Sequence, residues 1–264
     1  MKITAVRCAV IGRHPIVRVV TDEGLSGYGQ VEFWKPYAKA HIDLLAETIV
    51  GMDPSDVERV MLRIRHRGAF KPWGAAVSAI EMACWDLAGK AAGVPVYKLL
   101  GGKVRDRVRI YNGGVRFPME SWGPDDFAAD TRRMLESPEG FTIIKQPIAF
   151  HSPMARQVPD FHYGEVTTRP IPGLRDTGYL TRKGFDHVVQ CVEAMADVTG
   201  DRVGLALDCG PGWTLPDAKK FAKAVEHLNL MWLEDLMSGD QVPFVNAPAY
   251  RDLTMSTTTP IHTG

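Results

Sequence analysis

Two acidic residues stand where a chain can do chemistry. Asp208 closes the apolar run VGLALD, just before the turn CGPGW, and Glu234 closes LMWLE, just before Asp-Leu. Each is the last residue of an apolar strand, and one strand–helix unit separates them. In a parallel barrel that spacing brings both side chains to the carboxyl ends of the strands, at the mouth where active sites form. Two ionised carboxylates in an apolar mouth repel, and a cation is the simple means of keeping both charged. Oxygen-only ligands favour Mg²⁺, which keeps coordination positions open for water and substrate. Taken singly, either acid could instead cap the following helix or pair with an arginine. At equivalent places in consecutive units, a shared metal is the favoured reading.

The elements that must position these acids fall into two textures. Residues 1–31 alternate in short β-rich runs, with TDEG as a hairpin turn. Helices follow. MDPSDVERVMLRI predicts a helix capped by Asp53 with Pro54 in its first turn. AAVSAIEMACWDLAGKAAG places Val77, Ile80, Ala83, Cys84, Leu87 and Ala91 at helical spacing before a stop at Gly93. Strands then helices, segregated, predict a small α+β domain over residues 1–103. Beyond LLGG the pattern becomes strand–helix alternation over residues 104–264, with strands at VRIYNGG, FTIIKQP, RVGLALDCG, LMWLEDL and TTTPIHTG. The helix LPDAKKFAKAVEHL carries a capping box, Thr214 with Asp217, and an apolar stripe of Ala218, Phe221, Ala222, Val225 and Leu228. Such repetition predicts a parallel sheet flanked by helices, an α/β arrangement. Five strands do not close a barrel of eight. Either the sheet is open and doubly wound, or a (β/α) barrel is present in part.

Composition narrows the class without naming the chemistry. The 264 residues are 45% hydrophobic and carry 31 basic and 31 acidic side chains, a formal net charge of zero. That balance favours neither nucleic acid nor an anionic membrane as partner. No apolar run is long enough to span a bilayer, and Arg7, Arg13 and His14 break up the opening segment too early for a signal peptide. Cys8, Cys84, Cys191 and Cys209 form no CxxC pair and read as reduced thiols of a cytoplasmic protein.

Several segments, in order, resemble one family. Residues 75–102, AAVSAIEMACWDLAGKAAGVPVYKLLGG, are similar to the helical signature that joins the capping domain to the barrel in the mandelate racemase/muconate lactonizing enzyme group of the enolase superfamily. GFTIIKQP resembles its second barrel strand, LDCGPGW and WLEDL its third and fourth, and TTTPIHTG its fifth. The resemblance spans the chain. It settles the choice of sheet for a partial (β/α) TIM-type barrel of about five strands behind an α+β capping domain. It implies that Asp208 and Glu234 are Mg²⁺ ligands and that a third, a Glu, directly follows Gly264. It also implies the family's shared step, abstraction of the proton α to a carboxylate, with the metal stabilising the enediolate.

Departures from the pattern shape the expected role of each residue. Many members have Lys-x-Lys at the end of the second strand. Here Lys145 fills the first position and Pro147 the second, so Lys145 is expected to orient or neutralise a substrate carboxylate, and less readily to act as base. Dehydratases of the group often carry a His two residues after the first ligand, where this chain has Gly210. A long insertion from Ile148 to about Thr181 reads as a lid over the metal and offers His151, Arg156, His162 and Tyr163, of which His162 and Tyr163 are the expected acid/base groups. His262 on the last strand, and capping-domain loops with Phe33, Trp34, Tyr37, Arg67, Phe70, Lys71 and Trp73, are expected to meet an anionic substrate, with Trp34, Lys71, Trp73 and His262 as its contacts. The expected reaction is dehydration of a sugar acid, a small-molecule carboxylate, by a homo-oligomer. Racemisation, epimerisation or cycloisomerisation are the alternatives within the family. The alternative of another class is a shortened, non-catalytic homologue.

Overall fold

Alternation in the opening residues folds as an antiparallel meander in the computed structural model of the chain. The structure describes residues 1–32, 35–66, 74–114, 117–164, 178–237 and 246–263. Two compact units, Met1–Val108 and Arg109–Gly264, make up the chain.

In the first unit, β1 (Ile3–Ile11), β2 (His14–Thr21) and β3 (Ser26–Gln30) pair in that order. Pro15, Val17, Val19 and Thr21 of β2 are buried on one face, as the period of two requires. The TDEG turn closes through the Thr21 N–H donating to the Leu25 carbonyl at 3.1 Å, with Gly24 at φ +79°. Helices α1 (Ala38–Ile49), α2 (Val57–Arg65), α3 (Gly74–Ala92) and α4 (Val96–Leu99) follow. On α3, Val77, Ile80, Ala83, Cys84 and Leu87 are buried, and Gly93 ends the helix at φ +65°. Ala91, expected on that face, is exposed; the core face continues instead through Ala88 and Gly89. Helix α2 begins later than the sequence suggests. Asp53 accepts from the Ser55 N–H at 2.9 Å and its hydroxyl at 2.6 Å, so it organises a local turn and the helix starts beyond it.

Close approach of backbone to backbone defines this unit. A Cβ at Gly27 would lie 2.0 Å from the Ala83 carbonyl oxygen, and one at Gly29 would lie 1.9 Å from that of Ala79. Only glycine lets β3 rest directly on α3.

The second unit holds a parallel sheet in the order β4 (Ile143–Pro147), β5 (Gly204–Asp208), β6 (Leu233–Glu234) and β7 (Ile261–His262). Helix α5 (Pro124–Leu135) precedes β4, α6 (Met154–Gln157) and α7 (Arg182–Thr199) lie between β4 and β5, α8 (Leu215–Ala224) follows β5, and α9 (Ala247–Thr254) follows β6. This strand–helix repeat is the partial barrel expected from the sequence. The run VRIYNGG contributes one parallel bridge, Asn112 to Ile144, rather than a full strand. Val108 and Ile110 are exposed, so the run lacks the packing that would hold a longer ladder. Thr214 caps α8 by accepting from the Asp217 N–H at 3.3 Å, and Ala218, Phe221, Ala222 and Val225 are buried, with Leu228 packed partly against the same core.

The long insertion corrects one expectation, because much of its described part belongs to the core. Ile148, Ala149, Phe150, Met154, Ala155, Val158 and Phe161 are all buried. Phe150 meets Phe161 and Trp213 edge-on, each at 5.8 Å between ring centroids. Apolar residues scattered among prolines and histidines conceal this packing at the level of sequence. Residues 165–177 of the expected lid lie outside the described residues. No helix among the described residues is long and apolar enough to cross a membrane. All four cysteines are free thiols.

Candidate metal centre and active site

Register lines up the strand ends. Pro147 pairs with Asp208, Asp208 with Glu234, and Glu234 with His262. Backbone N–H groups of Ile148, Cys209 and Asp235 donate to the carbonyls of Asp208, Glu234 and His262 at 2.9, 2.9 and 3.0 Å, fixing the rank. The two acids picked out by their strand-end positions are therefore neighbours at the carboxyl edge of one sheet. Lys145 lies two residues before Pro147 on the same face, and its long side chain climbs to meet them.

The Lys145 ammonium donates to Glu234 Oε1 at 2.7 Å and to Asp208 Oδ2 at 3.1 Å. Burial alone would lower the pKa of Lys145, but the hydrogen bond to Glu234 and the charge of Asp208 outweigh it, and the value is raised. Asp208 shows the mirror effect. Burial pushes its carboxyl upward, yet His151 and Lys145 beside it hold the carboxyl below its ordinary value. The Asp208 carboxylate is thus favoured in its charged form, with the Lys145 ammonium lying between it and Glu234.

Glu234 is oriented from its other oxygen. The Trp232 indole N–H donates to Oε2 at 2.9 Å, leaving Oε1 to Lys145. Trp232 stacks on the His262 ring at 5.3 Å and 13°, and Tyr111 meets the indole edge-on at 5.3 Å. Lys145 Nζ lies 5.9 Å over the Tyr111 ring, within cation–π range. His262 is exposed and reaches this cluster through Trp232 rather than through the acids. Sequence reading missed Trp232 and, in the cluster described next, Asp235; their places two residues before and one residue after Glu234 were the available signal.

A third carboxylate joins the pair. Asp235, in the left-handed region at φ +55°, offers an oxygen to a cluster in which single ligand atoms of Asp208, Glu234 and Asp235 all lie within 4.8 Å of one another. The donor set is all-oxygen and acidic. Asp208 Oδ1 is buried without an aligned hydrogen-bond partner, and a cationic group already occupies the space between the acids. These residues fit a hard divalent cation.

The other expected site residues lie apart from this cluster or outside the description. His162 is half-buried against Phe150 and Phe161, its Nδ1 is 3.3 Å from the Tyr163 carbonyl, and its Nε2 has no partner among the described residues. Tyr163 is 70% exposed and is held by its backbone N–H to the Tyr179 carbonyl. Among the described residues, no hydrogen bond or ion pair joins either to the acids. Trp34, Lys71 and Trp73 lie outside the described residues.

Comparison with known proteins accounts for both units. Residues 3–101 match the model of the mandelate racemase/muconate lactonizing enzyme N-terminal domain, and residues 127–264 match the enolase C-terminal domain-like model. The whole chain aligns at 32% identity with a D-xylonate dehydratase of Haloferax volcanii and at 30% with a D-galactonate dehydratase of Variovorax paradoxus. It spans 60% and 61% of the length of those two relatives. Among solved structures, a mandelate racemase/muconate lactonizing enzyme-like protein from Rubrobacter xylanophilus superposes with TM-score 0.75 at 29% identity, over 98% of this chain and 65% of that one. An enolase-superfamily member from Salmonella Typhimurium gives TM-score 0.80 at 25% identity, over 100% and 67%.

Proposed function

The chain belongs to the mandelate racemase/muconate lactonizing group of the enolase superfamily, and from that premise we propose that it serves a Mg²⁺-dependent dehydration of a sugar acid. The observation that carries this reading is the pair Asp208 and Glu234 at consecutive strand ends, bridged by the Lys145 ammonium. Asp208 and Glu234 would hold the ion, with Asp235 within reach of the same point. A divalent cation there supplies Lewis-acid stabilisation of negative charge on a substrate carboxylate, which makes the neighbouring C–H more acidic.

The protein's own groups divide the remaining work. Lys145, charged and anchored by two acids, neutralises and orients the substrate carboxylate. Pro147 offers no proton acceptor at the second position of the strand end, so the base comes from elsewhere. His162 and Tyr163 are the proposed acid/base groups, and His262 with Trp34, Lys71 and Trp73 the proposed substrate contacts. Trp232 keeps Glu234 in a single orientation through its indole N–H. The named activities of the relatives, on D-xylonate and D-galactonate, support a sugar acid as substrate. Assembly as a homo-oligomer in the cytoplasm belongs to the same proposal.

The test is turnover of a panel of sugar acids by the full-length protein with and without Mg²⁺. The reading expects loss of water from at least one acid, abolished by chelation and by Lys145→Met. Exchange of the α-hydrogen with solvent deuterium without loss of water would move the assignment to a racemase or epimerase. Mg²⁺-independent turnover would sink it.

A further inference from the structure

Each of the four oxygens of Asp208 and Glu234 already faces a group of this chain. Asp208 Oδ1 lies 3.0 Å from His151 Nδ1, an ion pair when the imidazole is protonated. Glu234 Oε2 accepts from the Trp232 indole at 2.9 Å. The remaining two, Asp208 Oδ2 and Glu234 Oε1, share one partner, the Lys145 ammonium at 3.1 and 2.7 Å. This bridge is sheltered, with the Lys145 side chain 11% exposed and that of Asp208 9%. The oxygens through which the two acids act together are therefore the ones that Lys145 holds.

A divalent cation drawing on both acids meets this ammonium at close quarters. Lys145 Nζ is 2.7 Å from Glu234 Oε1, and the bond from oxygen to a Mg²⁺-like ion is about 2.1 Å, so two cations on that oxygen lie within about 5 Å of each other. Each oxygen has lone pairs for two partners, so the conflict is one of charge and not of valence. Positive charges at that range repel, and burial removes the solvent screening that would relieve them. Lys145 has room to yield. Its stem is flexible and runs beside Gly113, where even an added Cβ would stay 3.6 Å from Lys145 Cε. Its ammonium also lies 5.9 Å from the Tyr111 ring, whose face attracts a cation.

We infer that Lys145 and the divalent cation compete for Asp208 Oδ2 and Glu234 Oε1, so that loading the cation releases the Lys145 ammonium toward the substrate carboxylate. The inference rests on the cation site proposed above and adds an order of events to it, cation first and substrate second. Lys145 then has two duties in turn: it compensates the paired acids, and it neutralises the substrate once the ion has taken them over. The competing account fixes Lys145 on the acids as a permanent counter-charge beside the ion.

Two measurements on the full-length protein separate these accounts. Calorimetric titration should show Lys145→Met binding Mn²⁺ about tenfold or more tightly than the parent, a gain opposite in sign to its loss of turnover. Reductive methylation with formaldehyde, read by peptide mass spectrometry on the parent, needs no variant and decides alone if Lys145→Met does not fold. Saturating Mn²⁺ should raise the labelling rate of Lys145 several-fold, while the exposed Lys183 labels at one rate throughout. Labelling of Lys145 that is unchanged or slowed by Mn²⁺, or affinity in folded Lys145→Met no higher than in the parent, would overturn the exchange and leave the carboxylate site standing. Mn²⁺ binding that is also indifferent to Asp208→Asn would overturn both.

Discussion

The two units bury different things. Among the described residues, Thr21 is the one polar side chain buried in the first unit, whereas Asn112, Asp130, Thr131, Gln146, Thr199, Asp208 and Thr259 are buried in the second. The first unit reaches its density by omission, with Gly27 and Gly29 letting a strand lie on a helix. The second spends hydrogen bonds to bring polar groups inside, at the strand ends and behind them. Burying a polar group costs free energy unless it is paired, so its concentration in one unit marks where positioned chemistry is being maintained.

Variants can break or sharpen that contrast. The largest stability effect is expected in the first unit. Gly29→Ala drives a Cβ into the Ala79 carbonyl and should cost about 3 kcal/mol, read from the denaturation midpoint of its transition. Gly74→Ala, which meets open space, should stay within about 0.5 kcal/mol of the parent. Equal effects would mean that backbone contact is not what holds this unit.

An intermediate effect is expected in the second unit, behind β4. Asp130 accepts from the Gln146 side-chain N–H at 2.7 Å and from the Phe117 N–H at 3.0 Å, and it is fully buried. Asp130→Asn keeps the shape and weakens both bonds, at about 1.5 kcal/mol in urea unfolding. A neutral outcome would show that the buried polar network is incidental to stability.

The smallest effect is tied to pH. Glu226 accepts from the Thr258 N–H at 2.6 Å and from Lys223 at 2.5 Å, and its pKa falls from 4.5 to about 2, with the Lys223 hydrogen bond as the leading cause. A depressed carboxylate stabilises the fold above its unfolded pKa and loses that contribution as pH falls through the folded one. Parent and Glu226→Gln should therefore differ in thermal midpoint at pH 6 and converge between about pH 4.5 and pH 2. A difference that grows on acidification would contradict the assignment.

How much of this could be read from the chain follows the same division. Asp208 and Glu234 were legible because each ends an apolar strand, and strand ends in consecutive parallel units must be neighbours. The capped helix at Thr214 and the glycine stop at Gly93 were legible because caps are local. The start of α2 was misplaced because Asp53 satisfies the Ser55 donors in a turn before the helix begins. The insertion read as a lid because prolines, histidines and tyrosines mask the seven apolar residues that it buries. His151 could be named only as one of several loop candidates. What sets it beside Asp208 is the space over Gly210, a contact 59 positions away that no spacing rule reports.

The central claim is that Asp208 and Glu234 form one cation site that Lys145 already marks. Calorimetric titration of the full-length protein with Mg²⁺ and with Mn²⁺ tests it most directly, in the parent and in Asp208→Asn and Glu234→Gln. The account predicts a saturable site in the parent and affinity reduced by more than about a hundredfold in either variant, with the fold intact by circular dichroism. Parent-like binding in both variants would contradict it.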